Sequence, residues 1–466
     1  MIPPLAAGLS PAGLGPQTLR ALLEAALAVS EADETELIYT GVEEALTRFA
    51  QNSIHQNMAE ADATLEVRAA VGMRVGAVTT NDLTPTGIER AVPAAAARAR
   101  HLPENPDWPG LTEPQTYPDV LAFDEAAAAL SQDPPARARR VADLCAQAQA
   151  AGLLASGALG AARYEYALLN SRGLFAYAPS TQVDVTFVAE QPDPAASAYA
   201  HATGWRLNQI DFEALRQETL RRAQIRQPRR HVPPGEYPVV LEPYAVLTVV
   251  EAMVEDGMGA LAVQEGRSWM NACFGEPSMS PLITLVDDAF DPDGLPRAFD
   301  CEGVPKQRVP IIAAGVPTSP VYDRWTAARE PGKVSTGHAQ PYADEDWDGP
   351  LPENLSLAAG DQSVENLIRS VERGLYIPRF WYVRQTSPHG AAATGTTRDG
   401  VWWIEGGELA YPAADLRFDQ ELVPALRGVI GVGRVRPALS GFCGVHRLPA
   451  LALESFRFID EADGEP

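Results

Sequence analysis

Apolar residues recur at helical spacing in five parts of the chain. Spacings of three and four residues predict amphipathic helices, and Pro or Thr-Pro at the start is typical of a helix N-terminus. We predict helices over residues 16–31, 84–100, 134–151, 211–227 and 243–255. The last has Leu247, Val250 and Val254 as predicted core positions, whereas Glu251 and Glu255 lie four positions apart on one face.

Other stretches alternate or form short apolar runs bounded by Gly, Pro or Asn, which predicts strands. Gly72 separates two of them and indicates a hairpin. Predicted strands cover 36–41, 45–49, 64–71, 73–79, a series within 153–189 broken at 170–173 and at Pro179, and then 282–286, 309–313, 380–384, 401–405 and 450–458. Residues 102–119, rich in Pro, Trp and Tyr, are predicted to form a long loop.

This distribution predicts an α+β fold with two domains. Residues 1–230 are expected to form an N-terminal α/β domain with a mixed sheet and helices, including a strand-rich segment from about 120. Residues 231–466 are expected to form a mostly antiparallel, barrel-like β domain. The Pro-rich segment 228–235 is the predicted linker.

Charge narrows the classes of function. Asp and Glu number 61 against 37 Lys and Arg, a formal net charge of −24. This disfavours direct binding to nucleic acid and to an anionic membrane surface, both of which rely on Lys and Arg. Mean hydropathy is −0.13 and no apolar run is long enough to span a bilayer. With no basic segment ahead of an apolar core at the start and four scattered cysteines, we expect a cytoplasmic protein.

Recognisable catalytic motifs are scarce. The two closest of the seven histidines, His201 and His231, are thirty positions apart, which excludes a helix-borne zinc motif with paired histidines. There is no Walker A loop and no G-x-S-x-G elbow. Cys443 lies in a Gly-rich turn, where it is a metal ligand, a nucleophile or a small buried residue.

Several blocks together suggest a family. They are Arg48-Phe49-Ala50, Ile54 to Asn57, Val71 to Leu83, Gly266-Arg267-Ser268, Leu282 to Asp288, Phe299 to Pro305, Tyr322-Asp323-Arg324, Thr394-Gly395 and Asp399 to Glu408. Over nearly the whole chain this series resembles the TldD/PmbA family, also known as the modulator of DNA gyrase family. The resemblance implies a metallopeptidase-related protein, in which two related subunits enclose a chamber that degrades or processes unfolded peptides.

The resemblance also locates a metal motif. The TldD type carries an H-E-x-x-x-H helix and a downstream Cys as metal ligands, whereas the PmbA or TldE type lacks the histidines. In this chain Val250 and Glu255 stand at the histidine positions, Glu251 matches the motif Glu, and Cys443 corresponds to the Cys. We therefore expect no metal in this chain, vestigial positions at Val250, Glu255 and Cys443, and a vestigial catalytic position at Glu251. Zinc is expected in a TldD-like partner.

Further residues are candidates for lining the chamber or the subunit interface, although a structural turn role remains equally open for each. They are Arg267, Asp300, Glu302, Arg324, His389 and Thr394. The chain departs from the family pattern at Cys301, where Asp is common, and at Thr396-Thr397.

Three functions remain open. The first is a metal-free subunit that forms a heterodimer with a metal-bearing paralogue, or alternatively a homodimer, and acts on peptides. The second is an autonomous peptidase with a rebuilt site, made of Glu255, Cys443 and a histidine such as His389 or His446. The third is a non-catalytic peptide-binding module. Whether the chain is an enzyme by itself stays undecided at this point.

Overall fold

The computed structural model describes residues 2, 10–192, 197–224, 227–255, 257–342, 349–387 and 390–462, with the backbone alone at Glu255. Within these ranges the helices are α1 Gly15–Leu27, α2 Pro85–His101, α3 Glu125–Gln132, α4 Pro134–Ala150, α5 Phe212–Ala223, α6 Pro243–Glu255, α7 Ala260–Gln264, α8 Arg324–Ala328, α9 Val364–Arg369 and α10 Leu422–Arg427. None of them is long and apolar enough to cross a lipid bilayer.

The first half of the chain folds around one large sheet. Its strands are β1 Glu34–Ala50, β2 Ser53–Val71, β3 Arg74–Thr80, β4 Leu154–Asn170, β5 Phe175–Glu190 and β6 Ser197–Gly204, in the order β3-β2-β1-β4-β5-β6. Neighbouring strands are antiparallel throughout. Helices cover this sheet in two groups: Leu19 of α1 and Ile88 of α2 share one core cluster, and Val141 of α4 shares another with Phe187 of β5.

The second half forms two further sheets within the described residues. Its strands are β7 Gly235–Leu241, β8 Leu285–Asp287, β9 Val309–Ala313, β10 Val316–Pro317, β11 Leu355–Leu357, β12 Arg373–Ile377, β13 Arg379–Gln385, β14 Ala392–Arg398, β15 Trp402–Glu405, β16 Glu408–Pro412, β17 Leu416–Glu421, β18 Val429–Val432, β19 Ala438–Ser440, β20 Val445–Arg447 and β21 Leu451–Glu461. One sheet has the order β10-β9-β8-β11-β20-β19. The other runs β13-β14-β17-β21-β7-β12-β15-β16, with β18 also paired to β21, and curls into a half-barrel.

The predicted α+β class is confirmed, with one correction. The sheet of the first half is antiparallel instead of mixed, because successive long strands are joined as hairpins. The domain boundary at 230/231 stays a prediction; it falls between α5 and β7. The segment from about 120 is not strands alone, since α3 and α4 precede β4.

A partly buried ion pair connects α5 to Glu242, the residue before α6. Both terminal nitrogens of Arg222 lie 2.8 Å from the carboxylate oxygens of Glu242, and the Tyr376 hydroxyl donates to the same carboxylate. Two residues further on, the Tyr244 hydroxyl bonds to the backbone of His201 in β6. These contacts fix the start of α6 against the first half of the chain, and so fix the direction in which Glu251 projects.

Candidate functional site

Helix α6 delivers Glu251 to a β-hairpin. Residues Val246, Val250 and Val254 lie in the main core, and Val250 is only 5% exposed. Glu251 is half-buried, and its carboxylate accepts a hydrogen bond from the backbone N–H of Phe442. Phe442 lies in the four-residue turn, residues 441–444, that joins β19 to β20. The structure therefore brings the motif Glu and the turn carrying Cys443 together.

Gly441 marks the closest approach in this hairpin. A side-chain carbon placed there would lie 2.1 Å from Glu251 Oε1 and 3.2 Å from His446 Cδ2, so any larger residue would require the Glu251 carboxylate to move. Cys443 is half-buried and packs against the main core. Glu251, Cys443 and His446 are therefore grouped at the hairpin turn formed by residues 441–444.

His446 is held as a neutral imidazole behind this turn. Its Nδ1 accepts the backbone N–H of Leu355 at 3.2 Å, which places the ring proton on Nε2. Burial lowers the pKa of His446 to about 4. Nε2 is buried and has no hydrogen-bond partner among the described residues. A ring with so low a pKa is a poor base for activating a nearby thiol.

A buried ionic group lies beneath the hairpin. The Glu353 carboxylate contacts Lys306 Nζ at 2.5 Å and Arg297 Nη1 at 2.6 Å, and the Lys306 side chain is fully buried. Burial favours the neutral acid, but the charges of Arg297 and Lys306 outweigh it and lower the pKa of Glu353 to about 2. The Glu353 carbonyl also accepts the backbone N–H of Val445 at 3.1 Å, which connects this group to the hairpin.

A second buried pair extends the same layer. His338 Nε2 lies 3.0 Å from Asp287 Oδ1, and the other carboxylate oxygen accepts the backbone N–H of Asn354 at 2.8 Å. Burial and the charge of Lys306 lower the pKa of His338, so at neutral pH it is a neutral donor to Asp287. The hairpin therefore rests on a layer of fixed charges and dipoles.

The residues present do not fit a zinc site. Zinc takes three or four Cys, His or carboxylate ligands, and the described part of the chain holds no group of three such residues arranged for a metal. Val250 offers no donor atom, and the Glu251 carboxylate is already bonded to Phe442. We derive no catalytic step through a metal in this chain.

The comparisons with known proteins bear on this arrangement. The family model described as "PmbA/TldA metallopeptidase C-terminal domain" matches residues 234–458, which include α6 and the hairpin. Residues 234–458 therefore match the C-terminal domain of the TldD/PmbA family.

Two relatives match this chain in sequence over different lengths. Metalloprotease PmbA of Escherichia coli O157:H7 is 24% identical over 82% of this chain and 83% of its own length. A metalloprotease of Methanothermobacter thermautotrophicus is 26% identical over 60% of this chain, and the match spans 62% of that protein, which is less than two thirds.

Solved structures show the same fold. TldE from Thermococcus kodakarensis matches with a TM-score of 0.84 at 19% identity, covering 94% of this chain and 99% of that one. A putative modulator of a DNA gyrase from Thermotoga maritima gives 0.84 at 18% identity, over 95% of this chain and 100% of that one.

Three of the predicted site residues meet away from the hairpin. The backbone N–H of Arg324 donates to Glu302 at 3.0 Å, and Asp300 precedes Glu302 in the same turn. Asp300 accepts the backbone N–H groups of Glu302, Val304 and Ala339. The Arg324 guanidinium contacts the backbone carbonyls of residues 109 and 110, so it links the two halves of the chain.

The other predicted residues are placed separately. Arg267 forms a local ion pair with Glu265 at 2.8 Å in the turn after α7. Thr394 lies in β14, where its hydroxyl donates to the Phe418 carbonyl at 2.6 Å. His389 and the side chain of Glu255 lie outside the described residues. The roles assigned to all of these residues stay predictions.

Sequence reasoning missed the ionic groups that surround both places. Glu353, Asp287 and His338 belong to the layer under the hairpin, and Glu36 and Arg68 lie beside Glu302. Two signals were present: Lys306 is one of two lysines in the chain, and Arg68 interrupts an apolar strand. Neither signal identifies the acidic residues with which Lys306 and Arg68 pair, because those residues are distant in sequence.

Replacing Glu251 by Ala is expected to loosen the hairpin. The change removes a charged acceptor from the Phe442 N–H, a bond worth about 1.5–3 kcal/mol. Amide exchange at Phe442 should accelerate at least tenfold in hydrogen–deuterium exchange, while exchange in β1 stays unchanged. Glu251→Gln keeps an acceptor oxygen and should retain most of the protection. Unaltered exchange in Glu251→Ala would show that the carboxylate does not hold the hairpin.

Proposed function

We propose that this chain is a PmbA/TldE-type subunit that binds no metal and acts with a metal-bearing TldD-like paralogue on unfolded peptides. The observation that carries the proposal is Val250, which occupies the first histidine position of the family metal motif and is buried in the core. Metallopeptidases need a metal-activated water, and Glu251 has none to deprotonate without the metal.

The position of Glu251 supports the same proposal. In a metal-bearing site a metal ion would connect the motif helix to the Cys of the hairpin turn. Here the Glu251 carboxylate makes this connection through Phe442 N–H, so the helix and the hairpin stay together without a metal. The half-barrel and the large N-terminal sheet are retained as well, as expected of a subunit that still has to assemble.

Elemental mass spectrometry tests the metal part of the proposal. The chain purified alone, without chelator, is expected to carry less than roughly 0.1 zinc, iron or manganese ion per chain, since three protein ligands are the minimum for a catalytic zinc. A family member with an intact H-E-x-x-x-H helix, purified in parallel, is the positive control. About one tightly bound ion per chain would overturn the proposal.

An autonomous thiol peptidase is the second candidate, favoured by the closeness of Cys443 and His446 in one hairpin. Its expected signature is peptide cleavage by the chain alone that resists chelators and disappears in Cys443→Ser. The low pKa of His446 argues against it, because the ring would not take the thiol proton at neutral pH.

A further inference from the structure

A cavity of about 560 Å³ lies away from the hairpin, between the two halves of the chain. Both halves contribute to its walls, which include Arg68, Arg98 and Trp108 from the first and Glu302, Asp323 and Trp325 from the second. Sites for small molecules typically have volumes of about 300–1,000 Å³. The cavity therefore has the size of a small-molecule site.

The charged groups of the described lining are divided by sign between the two halves. Both cations, Arg68 and Arg98, belong to the first half, and both carboxylates, Glu302 and Asp323, belong to the second. Two charges of each sign cancel, so the lining selects neither a cation nor an anion. A zwitterion, which carries one charge of each sign, is the ligand whose charges complement such a lining.

Arg98 is the group of this lining that is suited to a ligand carboxylate. It is exposed near the end of α2, and among the described residues its guanidinium has one partner, the Ala77 carbonyl at 3.2 Å. Its remaining N–H groups can bind a carboxylate, whose geometry the planar guanidinium matches. Arg68 is not available in this way, because it already pairs with Glu36 and lies 3.6 Å from Glu302.

The two carboxylates lie deeper, and each has one oxygen that a ligand can use. Glu302 and Asp323 are only 5% and 3% exposed. Glu302 Oε2 accepts the backbone N–H of Arg324, and Asp323 Oδ1 accepts that of Thr326. The other oxygen of each carboxylate accepts no hydrogen bond from the described residues, so both can accept one from a ligand ammonium. A zwitterion would therefore direct its ammonium inwards and its carboxylate outwards to Arg98.

Apolar surface that folding leaves partly exposed completes the lining. Leu102 is 36% exposed, and the Trp325 ring is half-buried. Arg329 lies over the Trp325 ring but does not line the cavity, so the part of the ring that faces the cavity stays open. The Arg68 guanidinium already lies against the other two rings of the lining, Trp108 and Tyr342. A large apolar side chain of a ligand would therefore cover Leu102 and Trp325, and would gain the free energy of burying them.

We infer that this cavity binds a free α-amino acid with a large apolar or aromatic side chain. The carboxylate bonds to Arg98, and the ammonium bonds to Glu302 and Asp323. The side chain lies against Leu102 and Trp325. The inference rests on the cavity itself and does not depend on the proposed function. The N-terminus of a peptide carries the same ammonium and side chain but no adjacent carboxylate, so an experiment can separate these two sources.

Isothermal titration calorimetry with the full chain at pH 7 tests the inference. Burial and then the charge of Glu302 raise the pKa of Asp323 to about 6, so its carboxyl is mostly ionised at this pH. L-Phenylalanine should bind roughly tenfold more tightly, or better, than each of three analogues. They are phenylalaninamide, which mimics a peptide N-terminus, hydrocinnamate, which lacks the ammonium, and L-alanine, which lacks the large side chain.

Arg98→Gln should weaken the binding of L-phenylalanine roughly tenfold, because it removes the charged partner of the carboxylate. Arg100→Gln is the matched control and should change nothing. Arg100 lies on the same helix and contacts the Glu31 carbonyl at 3.4 Å, outside the cavity. Thermal melting of both variants separates a lost site from a lost fold, and the series of ligands tests the inference independently of either variant.

Binding of phenylalaninamide as tight as that of L-phenylalanine would assign the cavity to peptide N-termini and overturn the inference. Equally tight binding of hydrocinnamate or L-alanine, no binding of L-phenylalanine at millimolar concentration, or unchanged binding in Arg98→Gln would each overturn it as well. Because the assay uses the chain alone and measures no cleavage, its outcome is independent of whether the chain works with a metal-bearing paralogue.

Discussion

Glu353→Gln is expected to lower the free energy of unfolding by about 3 kcal/mol at neutral pH. The wild-type carboxylate balances Arg297 and the fully buried Lys306, and removing one partner of such a group leaves the others uncompensated. A pKa lowered from 4.5 to about 2 corresponds to a stabilisation of about 3 kcal/mol. Chemical denaturation followed by circular dichroism measures the loss.

The destabilisation caused by Glu353→Gln should depend on pH, and the direction of the pKa shift determines how. A carboxyl whose pKa is lower in the folded state stabilises the fold fully above its unfolded pKa, here 4.5, and loses that contribution as the pH falls towards 2. The difference between wild type and Glu353→Gln should therefore be constant from pH 6 to 8 and shrink below about 4.5. Glu24→Gln, at an exposed pair with Arg20, is the control and should cost less than about 0.5 kcal/mol. A similar loss in both variants would contradict the account of the buried layer.

Arg68→Met is expected to destabilise the fold by about 3–5 kcal/mol at pH 8, the usual cost of removing one partner from a buried ion pair. Glu36 is fully buried, and burial already raises its pKa despite the opposing charge of Arg68. Without Arg68 the carboxyls of Glu36 and Glu302 lose their guanidinium partner, and the pKa of Glu36, which is already raised, should rise further.

The loss in Arg68→Met should also shrink as the pH falls, but in a higher pH range than the loss in Glu353→Gln, because the pKa of Glu36 is raised above 4.5 and that of Glu353 is lowered below it. Acids whose pKa is raised by folding destabilise the fold as the pH rises through that pKa, so the loss should be smaller at pH 5 than at pH 8. Arg74→Met, in the neighbouring strand β3, serves as the control. It removes an exposed pair with Glu104 and should cost less than about 1 kcal/mol at either pH. A loss independent of pH would mean that Arg68 acts by packing alone.

Local patterns predicted the helices better than the strands. Helix α6 spans Pro243–Glu255, as its apolar spacing and leading Pro indicated. Strand β1 runs without a break from Glu34 to Ala50, whereas two separate stretches, 36–41 and 45–49, were predicted. The residues between these stretches still pair with β2 and β4. Such pairing depends on the partner strands and leaves no mark in the local hydrophobic pattern.

Pro179 shows why one predicted break was wrong. Proline lacks an N–H and is expected to end a strand, but β5 runs through it from Phe175 to Glu190. At Pro179 the strand pairs with β4, whereas β6 begins its pairing only at Val183. The missing N–H therefore lies in a part of β5 with one neighbour, where proline is tolerated. Helix α3, Glu125–Gln132, was missed although Asp124 caps it and alanines follow.

The candidate site, like the fold, was predictable from the sequence only in part. The meeting of Glu251 with the Cys443 turn was predictable only through the family resemblance, since 191 positions separate Glu251 from Phe442. The Asp300, Glu302 and Arg324 group was named residue by residue, but its counter-charge Arg68 was not. Ion pairs between distant residues follow from the topology of the sheets, which the hydrophobic pattern does not specify.

Peptidase activity with and without a metal-bearing paralogue tests the central claim most directly. A fluorescently labelled unfolded peptide would be incubated with this chain, with a family member that has an intact H-E-x-x-x-H helix and comes from the same genome, and with both together. We expect no cleavage by this chain alone, and chelator-sensitive cleavage by the pair that exceeds that of the paralogue alone. Chelator-sensitive cleavage by this chain alone, or a paralogue whose activity is unaffected by it, would contradict the claim.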